Sequence, residues 1–198
     1  MNNSSKNLDT KRLFIGVPVP PEISTRIMML KTLVPALEDD IRWVFGRNLH
    51  LTLSFLGQIS TSAIEKVDTA LAECINQPKF SLSIESSGVF PSIEKPRIFW
   101  MDIMEGRDPL IALQAAVDTS VNSLKENPDN KPYVPHVTIG RSNKKSKLWK
   151  IDLTQFLNAE YEPIKFEINK VYLYQSELLP QGARYTVLKE YPLFESQN

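Results

Sequence analysis

Two short stretches hold the residues of this sequence best suited to acid–base chemistry near neutral pH: "NLHLTLSFLG" (48–57) and "PHVTIGR" (135–141). Each has a histidine followed two places on by a threonine, and His50 and His136 are the only 2 histidines among 198 residues. Side chains alternate between the faces of a strand. His50, Thr52 and Ser54 are therefore expected on one face, with Leu49, Leu51, Leu53 and Phe55 on the other. His136 and Thr138 likewise share a face, with Val137 and Ile139 behind them. If two such strands face one cleft, they supply two groups that titrate near neutrality and two hydroxyl donors. That set suits phosphodiester cleavage. A neutral imidazole takes a proton from the nucleophile, a protonated one delivers a proton to the leaving oxygen, and the hydroxyls donate to the non-bridging oxygens. A bell-shaped pH profile is the expected signature. A single histidine at a strand edge is more often a hydrogen-bonded structural residue, but here the two motifs contain every histidine in the chain.

The elements that must position these motifs follow from the apolar pattern. "RLFIGVPVP" (12–20) reads as a buried strand closed by prolines. Pro20 and Pro21 suit the first turn of a helix with Ile23, Ile27, Leu30, Val34 and Leu37 on one face, ending near Pro35. The first histidine strand follows at 49–56. Ser62 and Glu65 form a capping-box pattern before a helix with Ile64, Val67, Leu71 and Cys74 on one side. "KFSLSIES" and "RIFWMDIM" alternate as strands. Asp108 and Pro109 suggest an N-cap and first turn for a helix carrying Leu110, Leu113, Val117, Val121 and Leu124. "ENPDNKP" (126–132) breaks the chain before the second histidine strand. A short helix at 153–159 and strands in "FEINKVYLYQS" and "RYTVLKEY" close it, with a phase slip between Ile168 and Val171 that suggests a bulge. About eight strands and three or four helices favour an α+β fold. Each half has a His-x-Thr strand beside an amphipathic helix. The expectation is one bilobal domain over 11–198, following a disordered tail at 1–10. If the halves pack about a pseudo-twofold axis, two pseudo-symmetric lobes of antiparallel sheet, with outer helices, would surround a central cleft.

Composition narrows the class. Twenty-three basic residues balance 23 acidic ones, so no global field draws in nucleic acid or a membrane. The single cysteine, Cys74, excludes an internal disulfide and a cysteine-based zinc site. No acidic ligand completes a metal site at either histidine, and no cofactor is implied. The polar start has no secretory signal pattern and no run is long enough to span a membrane, so the cytoplasm is the expected compartment. "RSNKKSKLWK" gathers Arg141, Lys144, Lys145, Lys147 and Lys150 around Trp149, as either a track for an RNA backbone or an exposed lysine loop. Phe14, Trp43 and Phe90 are candidates for core or for cleft wall.

The two motifs resemble the paired His-x-Thr-x (HxTx) motifs of the two-histidine phosphoesterase superfamily, and in particular the LigT-like RNA 2′,3′-cyclic phosphodiesterases, once described as 2′-5′ RNA ligases. "RLFIGVPVP", "RWV", "GVFPS", "PRIFW" and "LYQSELLPQGARYTVL" extend the resemblance over nearly the whole chain. The resemblance implies two α+β lobes around a groove and metal-independent hydrolysis of an RNA 2′,3′-cyclic phosphate to a 2′-phosphomonoester. It implies His50 as proton donor to the leaving 3′ oxygen, His136 as the base for water, and Thr52 and Thr138 as phosphate holders. Arg141 resembles a phosphate-binding basic residue, a role that needs the strand to end or bend near Gly140. The expected partner is an RNA end with a 2′,3′-cyclic phosphate, bound by a monomer. A small cyclic nucleotide or a 2′-5′ linkage is the alternative substrate, and a non-catalytic RNA-end binding module is the alternative class.

Overall fold

The computed structural model describes residues 9–36, 39–128, 131–143, 146, 148–180 and 182–195. Most of the expected tail, Leu37, and Lys144, Lys145 and Lys147 with the Trp149 side chain lie outside the described residues. The strands are β1 (Thr10–Pro18), β2 (Ile41–Trp43), β3 (His50–Ser60), β4 (Phe80–Phe90), β5 (Ile98–Ile103), β6 (His136–Ser142), β7 (Ile164–Ile168), β8 (Lys170–Leu179) and β9 (Gly182–Pro192). The helices are α1 (Ile23–Thr32), α2 (Ile64–Cys74), α3 (Arg107–Val121) and α4 (Thr154–Leu157). The strands make one antiparallel sheet in the order β7-β4-β5-β6-β3-β1-β8-β9, with β2 also on β6.

The sheet divides at its middle. β3 and β6 share one paired position, Leu51 with Val137, and each then pairs outward along four-strand halves, β3-β1-β8-β9 and β6-β5-β4-β7. Both histidine strands end a similar unit, strand–helix–histidine strand: β1-α1-β3 in one half, interrupted by β2, which pairs with β6, and β5-α3-β6 in the other. The expected α+β fold with two pseudo-symmetric lobes is present. Its helices also cross between halves. From α3, Gln114 Nε2 donates to Leu53 O at 3.3 Å, and Ser54 Oγ on β3 donates to Asp118 of α3 at 2.8 Å. From α1, the Arg26 guanidinium sits 4.9 Å over the Tyr161 ring, whose hydroxyl donates to Ser86 O on β4. Ile23, Ile27 and Leu30 of α1 join Leu110, Leu113, Val117 and Val121 of α3 in one core with Leu51, Leu53, Val137 and Ile139. Burying each such side chain contributes about 1.5–3 kcal/mol. The core covers one face of the histidine strands and leaves the imidazole face open.

Several local expectations are revised. α1 stops at Thr32, before the expected end near Pro35, because Val34 precedes that proline and is disfavoured from the helical region. The Leu33 and Val34 amides instead donate to Leu30 O and Lys31 O in a tightened last turn. The Ser62–Glu65 capping box does not form. A 3₁₀ turn at Thr61–Ala63 delays α2 to Ile64, and Ser62 Oγ pairs with Ser60 Oγ at 3.1 Å. The N-cap of α3 is Gly106, not Asp108: its φ of 77° is left-handed, and a Cβ there would strike Ser81 O. Asp108 lies in the first turn, where its charge favours the helix dipole. The phase slip after Ile168 is a crossing rather than a bulge. β7 pairs with β4 near one end of the sheet, whereas β8, one residue later, pairs with β1 and β9 near the other. The sheet is curled, and Lys79 N, just before β4, donates to Phe194 O, just beyond β9, at 2.9 Å.

Candidate active site

The Leu51–Val137 pair sets the geometry of both motifs. Continuing that antiparallel register by one residue each way puts His50 across from Thr138 and Thr52 across from His136. Each imidazole therefore faces the threonine of the other motif, about a local twofold through the leucine–valine pair. Both rings are anchored alike: His50 Nδ1 lies 2.8 Å from Asn48 O, and His136 Nδ1 lies 2.7 Å from Val134 O. A carbonyl only accepts, so Nδ1 carries the proton and Nε2 of each neutral ring is left as the acceptor. Tyr133, just upstream of β6, donates its hydroxyl to Thr52 O at 3.0 Å and ties the two motifs together.

Strict alternation fails at the same place in both strands. The β1–β3 register runs from Gly16–Thr52 to Ile15–Ser54 and skips Leu53. The β5–β6 register runs from Trp100–Thr138 to Phe99–Gly140 and skips Ile139. A bulge three residues after each histidine turns the next residues over. Ser54, expected beside His50 and Thr52, is buried against Asp118 instead. Phe55 and Arg141, each five residues after its histidine, are exposed on the cleft side. Arg141 thus reaches the histidine face through a bulge beside Gly140. Gly140 permits it: a Cβ there would come within 3.0 Å of Ile41 Cγ2 and 3.2 Å of Trp43.

Aromatic rings pack each imidazole. Phe14 lies 4.7 Å from His50, with Tyr174 stacked on Phe14 at 4.8 Å and Tyr185 edge-on to His50 at 5.1 Å. Phe90 meets His136 edge-on at 5.2 Å, and Trp100 stacks on Phe90 at 4.9 Å. Phe90 therefore walls the site, Phe14 supports His50 from a buried position, and Trp43 is half-buried against the core, packed on Phe99 at 5.6 Å. Burial pushes His50 down to about 4, helped by the positive charges of Arg141 and His136 and opposed by its bond to Asn48 O. Burial also lowers His136, with Arg141 adding to the shift, while the Val134 carbonyl and the Asp102 carboxylate oppose it. Asp102 sits directly across from His136 on β5, whereas Pro18 sits across from His50 on β1. A phosphate anion between the rings would raise both.

The family model for the 2′-5′ RNA ligase superfamily matches residues 19–178, which includes both histidine motifs and the strands that carry them. The chain belongs to this superfamily. Among curated relatives of this 2′-5′ RNA ligase superfamily member, the RNA 2′,3′-cyclic phosphodiesterase of Aquifex aeolicus is 32% identical over 159 residues, 77% of this chain and 81% of that one. The enzyme of the same name from Escherichia coli is 30% identical over 185 residues, 93% of this chain and 98% of its own. A solved structure of E. coli LigT in apo form superposes with a TM-score of 0.71 at 24% identity, covering 94% of this chain and 99% of that chain, and shows the shared fold. With these relatives, the chain is an enzyme acting on phosphodiester bonds. Among the described residues no helix is long and apolar enough to cross a membrane.

The structure brings His50, Thr52, His136, Thr138 and Arg141 of this superfamily member to one face of one sheet. Cys74 is half-buried on α2, its thiol raised by burial and bonded to Leu71 O and Ser120, as a small packing residue would be. The pattern of the sequence did not reveal Tyr133, Tyr185, Trp100 and Asp102, which surround the site. Pairing register places Trp100 and Asp102 there, a hydrogen bond to Thr52 O places Tyr133 and a ring contact with His50 places Tyr185; only the alternation of "IFWMDI" hinted that Trp100 and Asp102 share a face.

Proposed function

We propose that this chain hydrolyses RNA 2′,3′-cyclic phosphodiester ends to 2′-phosphomonoesters, using His50 and His136 as acid and base without a metal ion. The observation that carries the proposal is the twofold arrangement of two Nδ1-anchored histidines, each opposite the other motif's threonine. In the proposed reaction His136 Nε2 takes a proton from water as its oxygen attacks phosphorus. The bond from phosphorus to the 3′ oxygen breaks, and protonated His50 delivers its Nε2 proton to that oxygen. Phosphate stays on the 2′ oxygen. Thr52, Thr138 and Arg141 donate to the non-bridging oxygens as charge builds on them. The acid and base assignments follow the family resemblance. They require bound phosphate to lift His50 from about 4 toward neutrality, the direction an adjacent anion gives. The names of the relatives support the substrate class. The same proposal places the enzyme in the cytoplasm as a monomer.

The test is ³¹P NMR of an oligonucleotide ending in a 2′,3′-cyclic phosphate, with protein and excess EDTA. Wild type is expected to convert the cyclic resonance to that of a 2′-phosphate. His50→Ala and His136→Ala should each lose on the order of 10²–10⁴-fold in rate. A cyclic resonance unchanged by folded wild type would overturn the reading, and loss of wild-type activity in EDTA would overturn its metal independence.

A further inference from the structure

Strand β2 lies along β6 with Arg42 directly opposite Arg141, between the Ile41–Ser142 and Trp43–Gly140 pairs. Residues directly opposite on antiparallel strands share a face. Ile41 and Trp43 occupy the covered face, against Gly140 and Phe99. Arg42 and Arg141 therefore both project on the cleft side, and both are exposed. Among the described residues neither makes an ion pair with a carboxylate. Like charges directly opposite on a ladder are destabilising. The β8–β9 ladder of the same sheet shows the stabilising alternative, with Arg184 opposite Glu177 and paired to it at 2.8 Å. An anion between Arg42 and Arg141 would turn the repulsion into binding.

Arg141 is close enough to act on both imidazoles. Arg42 stands beside it on β2, which pairs with the end of β6 remote from His136. An RNA end with a 2′,3′-cyclic phosphate carries a second anion nearby, the phosphodiester on the 5′ side of the same nucleotide, which a cyclic mononucleotide lacks. Resting on the reaction proposed above, we propose that Arg42 binds this 5′ phosphodiester, so that the site selects RNA chains over cyclic mononucleotides. Its fork of donors suits a phosphate, and exposure lets the chain leave the cleft past β2.

The test compares kcat/KM for adenosine 2′,3′-cyclic phosphate and for a pentanucleotide with the same end, in wild type, Arg42→Ala and Arg42→Lys. The preference for the pentanucleotide is expected to fall about tenfold in Arg42→Ala, the scale of one charge-assisted contact, with Arg42→Lys between. The salt slope of log kcat/KM for the pentanucleotide should shrink by roughly 0.7, one phosphate contact on a single strand. An unchanged preference in Arg42→Ala, with wild type active on both substrates, overturns the Arg42 proposal and leaves the reaction standing. If wild type turns over neither substrate, the reaction assignment fails. Fluorescence anisotropy with the 2′-phosphate pentanucleotide then decides Arg42 alone: weaker binding by Arg42→Ala supports the contact and equal binding overturns it.

Discussion

His50 and His136 share an Nδ1 anchor and a bulged strand but differ in what lies across the ladder, Pro18 for one and Asp102 for the other. Burial lowers both imidazoles, His50 to about 4, and the Asp102 carboxylate opposes the shift at His136. For two coupled groups, kcat/KM follows the singly protonated form. Its acidic limb reports the lower pKa and its basic limb the higher. Asp102→Asn removes the charge that favours protonated His136, so the basic limb should move to lower pH. The height of the plateau then reads the roles. If His50 is the acid, the working form has its proton on His50, and lowering His136 enlarges that share of the singly protonated form; the plateau of kcat/KM should rise. If His136 is the acid, the plateau should not rise. A pH–rate series on Asp102→Asn decides between them.

At the scale of elements, the site depends on how β4 and β5 support β6. Trp100 on β5 is held between Phe90 and the bare backbone of Gly88 on β4, and its ring centroid lies 6.3 Å from that of His136. A Cβ at position 88 would overlap the Trp100 ring, which would have to move. Gly88→Ala is therefore expected to cost about 1–3 kcal/mol of stability by overpacking, measured by urea unfolding. It should also lower kcat, on the order of ten- to a hundredfold if His136 shifts with the ring. Stability lost without loss of kcat would show that Trp100 packs the strand but does not position the histidine. The paired bulges at Leu53 and Ile139 belong to this scale too, since they decide that Phe55 and Arg141, rather than Ser54 and Gly140, meet the cleft.

For the whole molecule, lowered histidines link folding to pH. Unfolded, His50 binds its proton near 6.5; folded, it does so only near 4. Its contribution to stability is complete above pH 6.5 and is lost as pH falls through that window toward 4. The melting temperature should drop across the window by roughly several degrees, and His50→Gln should flatten the drop. Equal slopes for wild type and variant would show that His50 is not held neutral by the fold. The sequence by itself determined the residues capable of the chemistry, the α+β class and the apolar faces of the helices, because histidine count, strand alternation and helical spacing are local properties. It also marked where the chain changes direction, though Asn169 looked like a bulge when it is the crossing between distant sheet positions. Only the tertiary structure decided that His50 faces Thr138, that Ser54 turns inward while Arg141 turns to the cleft, and that Arg42 stands beside Arg141. Those outcomes depend on register between strands far apart in sequence, and one skipped residue in a ladder reverses every side chain beyond it.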